Sequence, residues 1–126
     1  MNHCIIGIGS NIDAEENIRR AIEILKNDFS VLAVSEMIKT EPIGIKNQPD
    51  FTNGAVKIET LLQQNELGRY LKNLEDQLGR DRSLPRFGPR TIDLDIVVWN
   101  GQVVDLDYYD RDFLQKSCAQ LGFKIH

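Results

Sequence analysis

The order in which helix-like and strand-like apolar patterns follow one another limits the fold of this chain more than any other feature. Two segments, Ile18–Phe29 and Leu67–Leu78, carry apolar residues three or four positions apart, as one face of a helix requires. The predicted order is β-α-β-β-α-β, followed by a hairpin at residues 100–101 and a helical tail over Asp110–Leu121. Apolar, β-branched runs predict the four strands: His3–Ile8, Val31–Ile38, Phe51–Thr60 and Thr91–Trp99.

This order predicts an α+β fold of the ferredoxin-like type, a split βαβ arrangement with one antiparallel sheet and both helices packed on a single face. The length of 126 residues suits a single domain over residues 1–126. Proteins of this architecture perform many unrelated functions, so the fold by itself predicts none.

Turn and cap signals predict where these elements begin and end. Asp13, with Glu16 three residues later, predicts a capping box at the first helix. Gly79 is placed to end the second helix in a left-handed conformation. Residues 9–11 are expected to end the first strand, and the proline- and glycine-containing segment Thr40–Asp50 is expected to be a loop.

The charges of the chain are unevenly distributed. Its net charge is −4, which argues against a general binder of nucleic acid or of anionic membranes. The segment Arg80–Arg90 nevertheless contains four arginines and one acid, Asp81, and so carries a charge of +3. A short basic segment in an acidic protein suits a compact anion such as a phosphate group, although a solvated loop without function has the same composition.

The sequence also bears on the cellular compartment. Met1–Ser10 lacks the basic start and long apolar run of a signal peptide, and no apolar stretch approaches the ~20 residues that span a membrane. Cys4 and Cys118 lie far apart and predict two buried, reduced thiols. We therefore expect a cytoplasmic protein that interacts with neither membranes nor nucleic acid.

Two acidic residues, Asp93 and Asp95, occupy alternate positions of the last predicted strand. Because strand side chains alternate, both carboxylates should project from one face, with Cα atoms roughly 6.5–7 Å apart. Such a pair repels unless a cation neutralises it, and Mg²⁺ prefers oxygen ligands and completes its shell with phosphates. An isolated Asp-x-Asp is more often a solvated pair, so this hypothesis depends on its context. The same alternation predicts that four apolar side chains face the core: Ile92, Leu94, Ile96 and Val98.

The neighbouring residues supply that context. Arg90 directly precedes the strand, and Gly88-Pro89 can turn the basic segment back over the acidic face. Carboxylates for a metal and guanidinium groups for phosphate oxygens are what phosphoryl-type transfer needs, because positioning and charge neutralisation carry that chemistry. The residues alone therefore favour an enzyme that uses magnesium, in one or two ions, and ATP.

Residues 88–96, which read Gly-Pro-Arg-Thr-Ile-Asp-Leu-Asp-Ile, resemble the signature of the 6-hydroxymethyl-7,8-dihydropterin pyrophosphokinase family. The resemblance implies an enzyme of folate biosynthesis that transfers the terminal diphosphate of ATP to the pterin's hydroxymethyl oxygen and leaves AMP. It extends from about Cys4 to Val104. Five further segments contribute to it: residues 9–11, 40–44, 48–53, 74–75 and 79–82.

The resemblance implies a role for each charged residue at the reaction. Asp93 and Asp95 would hold two Mg²⁺ ions. Arg80, Arg82 and Arg90 would close over the phosphates of ATP. These roles agree with the chemistry that the residues themselves suggest.

The resemblance also implies a pterin site. Phe51 would stack on the pterin ring and the amide of Asn53 would bind its edge, as a flat aromatic ring and a donor–acceptor group can. From strand position alone, simple packing for Phe51 and a turn for Asn53 would be the ordinary interpretation. Further pterin hydrogen bonds would come from the backbone around three residues: Thr40, Pro42 and Ile43.

The tail departs from the family pattern. It lacks the family's Pro-His pair and stops early, which predicts a short form with a truncated C-terminus. Arg111 and Phe113 resemble the family's Arg-x-Phe element, so Arg111 would meet phosphate and Phe113 would form a second stacking face for the pterin. An ordinary amphipathic helix starting near Asp110 explains the same residues equally well.

Two other functions fit part of the pattern. A catalytically impaired homologue could bind pterin or nucleotide in a regulatory role, but it would need neither paired carboxylates nor the arginines. A nucleotidyl transferase or cyclase could use paired carboxylates on a similar sheet, but the segment Gln48–Asn53 would have no purpose there.

Overall fold

The computed structural model describes residues 1–85 and 87–125. Within these residues, six strands form one sheet and four helices connect or follow them. The strands are β1 (Asn2–Ser10), β2 (Ser30–Val34), β3 (Ile38–Thr40), β4 (Phe51–Thr60), β5 (Asp93–Trp99) and β6 (Gln102–Val103). The helices are α1 (Ala14–Asp28), α2 (Gln64–Gln77), α3 (Asp107–Asp110) and α4 (Asp112–Gln120).

The sheet has the predicted antiparallel, ferredoxin-like arrangement. Its strands lie in the order β2-β4-β1-β5-β6, with β3 pairing beside β4, and every described pair is antiparallel. The helices α1 and α2 pack on one face, where Leu25 and Leu71 meet Ile6 and Ile58 in a continuous apolar core. Each of these side chains is almost completely buried, which stabilises the fold by ~1.5–3 kcal/mol per side chain. The α+β fold class is therefore confirmed.

A second, smaller core lies on the opposite face. There Leu114 and Cys118 of α4 pack against Ile5, Ala55 and Val97 of the sheet. The sequence predicts a helical tail but not its position; the tail forms two helices, α3 and α4, and covers part of the face that α1 and α2 leave open. No helix among the described residues is long and apolar enough to cross a membrane.

A bulge in β5 overturns the prediction for Val98. In the β1–β5 register, Ile5 pairs with Val98 whereas Ile6 pairs with Ile96, so Val97 is the extra residue. The bulge shifts the alternation by one position, and Val98 packs with Val97 and Ile5 in the smaller core instead of facing α2.

Two turn predictions are confirmed and one cap prediction is wrong. Gly79 has a φ of +92°, and Asn100 and Gly101 have φ values of +47° and +81°, as a tight two-residue hairpin requires. Asp13 is itself left-handed and its side chain makes no cap hydrogen bond. The structure instead forms a capping box at Gln63 of α2, which the sequence patterns did not indicate.

Strand boundaries also differ from the prediction. Gly9 and Ser10 remain in β1 because both stay paired with β4. The predicted strand over residues 31–38 is divided into β2 and β3, since the hydroxyl of Ser35 accepts the N–H of Ala55 between them. Thr40 closes β3 and pairs with Phe51, so it belongs to the sheet and not to the following loop.

Candidate active site

The floor of the candidate site is bare backbone of β1. Gly9 pairs with Asn53 on one side and with Asp93 on the other, and Gly7 pairs with Asp95. A Cβ at Gly9 would lie 2.5 Å from Oδ1 of Asn53, and one at Gly7 would lie 3.2 Å from a methyl group of Val97. Glycine at position 9 therefore leaves room for the Asn53 side chain to extend over β1 into the cavity.

A cavity of about 380 Å³ lies over this floor. Ten of the twelve side chains predicted from the sequence line it, on the face of the sheet opposite α1 and α2. Five are the charged residues Arg80, Arg90, Asp93, Asp95 and Arg111. The other five are Thr40, Ile43, Phe51, Asn53 and Phe113.

The carboxylates of Asp93 and Asp95 both face this cavity, with side chains 41% and 46% exposed. Partial burial, and then the negative charge of Asp93, raise the pKa of Asp95 to about 7. Among the leading contributions, only the positive charge of Lys72 lowers the pKa of Asp95. Burial and the neighbouring charge thus disfavour a bare carboxylate at Asp95, and a bound cation would stabilise its ionised form.

Glu75 holds the acidic strand in place from α2. Its carboxylate is fully buried, and Oε2 accepts the N–H of Leu94, the residue between the two aspartates, at 2.7 Å. Its Oε1 lies 3.2 Å from Arg80 and 3.1 Å from Arg82. In the sequence, Glu75 belongs to one of the segments that carry the family resemblance, and it is a charged residue on the leucine face of α2, four positions after Leu71.

Arg80 and Arg90 place positive charge beside the aspartates. Arg80 is 11% exposed and lies between Glu75 and Asp93, 3.4 Å from the Oδ1 atom of Asp93. Burial, together with the charge of Arg80, lowers the pKa of Arg90. Two guanidinium groups thus crowd together at the cavity wall, where an added anion would relieve their repulsion.

Asn11 joins the two loops that border the cavity. Its amide donates to Oε1 of Gln48 at 2.9 Å and to the carbonyl of Pro49 at 3.0 Å. Its Oδ1 accepts the N–H of Arg90 at 2.8 Å. The amide of Gln48 in turn donates to the carbonyl of Phe87, so the end of β1 anchors both loops.

The uncharged half of the cavity is organised around Asn53. Its amide donates to Oγ1 of Thr40 at 2.6 Å, while Phe51 pairs with Thr40 across the strands. Phe113 enters the cavity from α4 and packs against the smaller core. An aromatic side chain from the sheet and another from a helix therefore line the same space as a fixed amide.

Comparison with known proteins decides the family. The family model described as 7,8-dihydro-6-hydroxymethylpterin-pyrophosphokinase (HPPK) matches residues 5–122. The chain is 38% identical to the 2-amino-4-hydroxy-6-hydroxymethyldihydropteridine pyrophosphokinase of Bacillus subtilis, over 95% of this chain and 78% of the relative. The enzyme of the same name from Haemophilus influenzae is 31% identical, over 86% and 74% respectively.

The chain belongs to the HPPK family. It is also 36% identical to the folate synthesis bifunctional protein of Arabidopsis thaliana, over 75% of this chain but 20% of that relative. The resemblance stated from the sequence motifs is therefore confirmed.

Two predicted residues of this HPPK-family chain do not line the cavity. Arg82 pairs with Glu75 and with Asp76, at 3.1 and 3.0 Å, and so lies against α2. Pro42 is buried, and its carbonyl accepts a hydrogen bond from the ammonium of Lys46 at 2.8 Å.

Three charged residues of the cavity were not indicated by any sequence pattern: Lys72, Asp105 and Asp107. Lys72 lies one turn before Glu75 on α2, whereas Asp105 and Asp107 follow β6. Burial, and then the nearby charges of Asp107 and Asp93, raise the pKa of Asp105. These residues lie at the HPPK-family site because α2 and the residues after β6 pack near β5, a tertiary contact that the sequence patterns do not show.

Proposed function

We propose that this chain transfers the terminal diphosphate of ATP to the hydroxymethyl group of 6-hydroxymethyl-7,8-dihydropterin, giving AMP and the pterin diphosphate. One observation carries the proposal: a single cavity places an aromatic and amide half-site on one side of Gly9 and a carboxylate and arginine half-site on the other. Membership of the HPPK family supports the same reaction.

The first half-site suits a pterin. Phe51 and Phe113 offer apolar ring faces for a planar bicyclic ring. The amide of Asn53, held by Thr40, offers a fixed donor and acceptor for the ring edge. Ile43 adds apolar surface from the loop that Asn11 anchors.

The second half-site suits a magnesium–triphosphate. Asp93 and Asp95 are hard oxygen ligands, and the described residues contain no group of three or more acidic, histidine or cysteine side chains that could hold a metal alone. Magnesium is commonly held by one or two carboxylates, with waters and substrate phosphates completing its shell. We place two Mg²⁺ ions at these carboxylates, where they would neutralise charge on the triphosphate.

The side chains of this site orient the reacting groups. The hydroxymethyl oxygen forms a bond to the β-phosphorus and loses its proton to solvent, while the bond from that phosphorus to the oxygen bridging to the α-phosphate breaks, so AMP leaves with that oxygen. Arg80, Arg90 and Arg111 bind phosphate oxygens in this scheme, and Glu75 keeps Arg80 and β5 in register. Positioning and charge neutralisation supply the catalysis, which needs no protein nucleophile.

The products test this function directly. Purified protein is mixed with ATP, magnesium and 6-hydroxymethyl-7,8-dihydropterin, and nucleotides and pterins are separated by chromatography. Equimolar AMP and pterin diphosphate are expected. ADP with a pterin monophosphate would indicate transfer of one phosphoryl group, and release of pyrophosphate would indicate nucleotidyl transfer. Tight pterin binding without any product would instead support the catalytically impaired homologue.

Arg90→Ala is expected to raise the KM for ATP by about tenfold while leaving pterin affinity nearly unchanged. The charge-assisted hydrogen bonds of a guanidinium group to phosphate are worth about 1.5–3 kcal/mol, and Arg90 lines the charged half of the cavity. Steady-state kinetics with each substrate varied in turn measure both effects. Arg20→Ala, on the exposed face of α1, is the matched control. Equal losses for both substrates would contradict the phosphate role.

Gly9→Ala is expected to weaken pterin binding by about tenfold with little change in the fold. The added methyl group would displace Oδ1 of Asn53, which lies 2.5 Å from the ideal Cβ position, and would disturb its hydrogen bond to Thr40. A tenfold loss corresponds to about 1.4 kcal/mol, which is within the range for one lost hydrogen bond. Fluorescence titration with the pterin measures it. Gly68→Ala, where a Cβ meets open space, should bind normally; equal affinity in both variants would refute the role of Gly9.

We also place this reaction in the cytoplasm. The two described cysteines, Cys4 and Cys118, are free and buried, and burial raises the pKa of Cys118 to about 11. Such thiols act as small apolar core residues and suit a reducing compartment.

A further inference from the structure

Lys72 reaches the site from outside the sheet. The short strand β6 pairs only with Val98 and Trp99, so the first residues of β5 form an edge without a neighbouring strand in the described structure. The helix α2 runs beside this edge, and Lys72 extends round it into the cavity. Its ammonium lies 3.6 Å from Oδ1 of Asp95 and 3.5 Å from Oε1 of Glu75.

The two aspartates therefore have different cationic neighbours. Asp93 lies beside Arg80, which is 11% exposed and is also held by Glu75. Asp95 lies beside Lys72, whose side chain is 51% exposed. A guanidinium group buried among carboxylates is fixed, whereas an exposed ammonium on four methylene groups can move several ångströms at little cost.

The partners of Glu75 indicate that Lys72 contributes little to holding the fold. Its carboxylate already accepts the N–H of Leu94 and already pairs with Arg80 and Arg82. An exposed lysine at 3.5 Å adds little to a carboxylate so well satisfied. We therefore expect that Lys72 lies beside Asp95 because it binds a ligand in the cavity, and not because it stabilises the fold.

We propose that Lys72 is a triphosphate-binding residue whose ammonium rests on Asp95 while no substrate is bound. This inference rests on the proposed function of the site. A divalent cation at Asp95 and an ammonium 3.6 Å from the same oxygen repel each other, so Lys72 needs another anion once the cation binds. The phosphates that accompany the cation are the anions within reach of its flexible stem. The ammonium of Lys72 thus lowers the affinity for the free metal ion but raises the affinity for the metal–nucleotide complex.

Opposite changes in two affinities test this inference. Lys72→Met keeps the apolar stem and removes the charge, Lys72→Arg keeps the charge, and Lys26→Met is a control at an exposed position of α1. At one fixed, mildly alkaline pH, Mn²⁺ binding without nucleotide is measured by electron paramagnetic resonance. Binding of magnesium with a non-hydrolysable ATP analogue is measured by calorimetry, and thermal melts verify folding.

Lys72→Met is expected to bind Mn²⁺ severalfold more tightly and the magnesium–nucleotide complex about tenfold more weakly, since it loses a charged hydrogen bond to phosphate. Lys72→Arg should retain most of the nucleotide affinity, and Lys26→Met should match the wild type. Unchanged or tighter nucleotide binding in Lys72→Met would overturn the inference and leave Lys72 as a counter-ion of Asp95 only. A wild-type protein that binds no magnesium–nucleotide at all would instead refute the proposed function itself.

Discussion

Asp95→Asn is expected to abolish turnover and, at the same time, to raise the melting temperature of the substrate-free protein above pH 7. Loss of a metal-binding carboxylate should reduce kcat by about 1,000-fold or more. The stability gain follows from the pKa of Asp95, which partial burial and Asp93 raise from 3.8 to about 7. Since ionisation of this group is less favourable in the folded protein than in the unfolded chain, the folded protein loses stability as the pH rises between those two values.

This pH dependence supplies the measurement. The melting temperatures of the two proteins without metal should differ most above pH 7, and the difference should disappear as the pH falls toward the ordinary pKa of an aspartate. Product formation is followed by chromatography in parallel. Glu15→Gln, an exposed carboxylate of α1, should change neither quantity. A variant that turns over at the normal rate would refute the metal assignment, and a lower melting temperature at alkaline pH would refute the electrostatic explanation.

Glu75→Ala is expected to lower the free energy of unfolding by ~3–5 kcal/mol, the usual result of removing one partner from a buried ion pair. The side chain is fully buried, and its loss leaves the N–H of Leu94 and the guanidinium of Arg80 without their carboxylate. Urea unfolding followed by the fluorescence of Trp99 measures this change.

The neighbouring acid provides a matched control for Glu75. Asp76 also pairs with Arg82, at 3.0 Å, but its side chain is 55% exposed, so Asp76→Ala should cost less than ~1 kcal/mol. Glu75→Gln, which keeps an acceptor for Leu94 but loses the charge beside Arg80, should lie between the two. Equal stabilities for Glu75→Ala and Asp76→Ala would show that burial of this carboxylate has no special importance.

The apolar periodicity of the sequence predicted much of this fold, because in most helices and strands the local pattern agrees with the structure that forms. The leucine repeat of α2 and the apolar runs of β1 and β4 carry their own periods, so their order and the α+β class follow from them. The period of β5 does not predict the position of Val98, because the bulge there depends on pairing with β1, which is distant in the sequence. The capping box at Asp13 failed for a similar reason, since the backbone there is left-handed whatever its side chain prefers.

The sequence predicted those parts of the candidate site whose residues lie on a single strand or in a single segment. Asp93 and Asp95 share a face because a strand alternates, and this could be read from nine residues of sequence. Lys72 and Glu75 act at the same place only because α2 packs beside the edge of β5, a contact without a local signal. Arg82 shows the opposite case, where a basic residue in the expected segment pairs with α2 instead of lining the cavity.

The position of Gly9 between Asn53 and Asp93 has a consequence for substrate selection. Neighbouring strands lie ~4.8 Å apart, so these two residues, one strand away on either side, are separated by roughly 10 Å. Backbone hydrogen bonding sets this distance, and side-chain substitution hardly alters it. In the proposed reaction, the sheet fixes the backbone positions that carry the ring-binding amide and the metal-binding carboxylate, and their side chains cover the remaining distance. The Asn53 side chain leans over Gly9, so its reach, together with the strand spacing, limits the length of the arm that carries the hydroxyl.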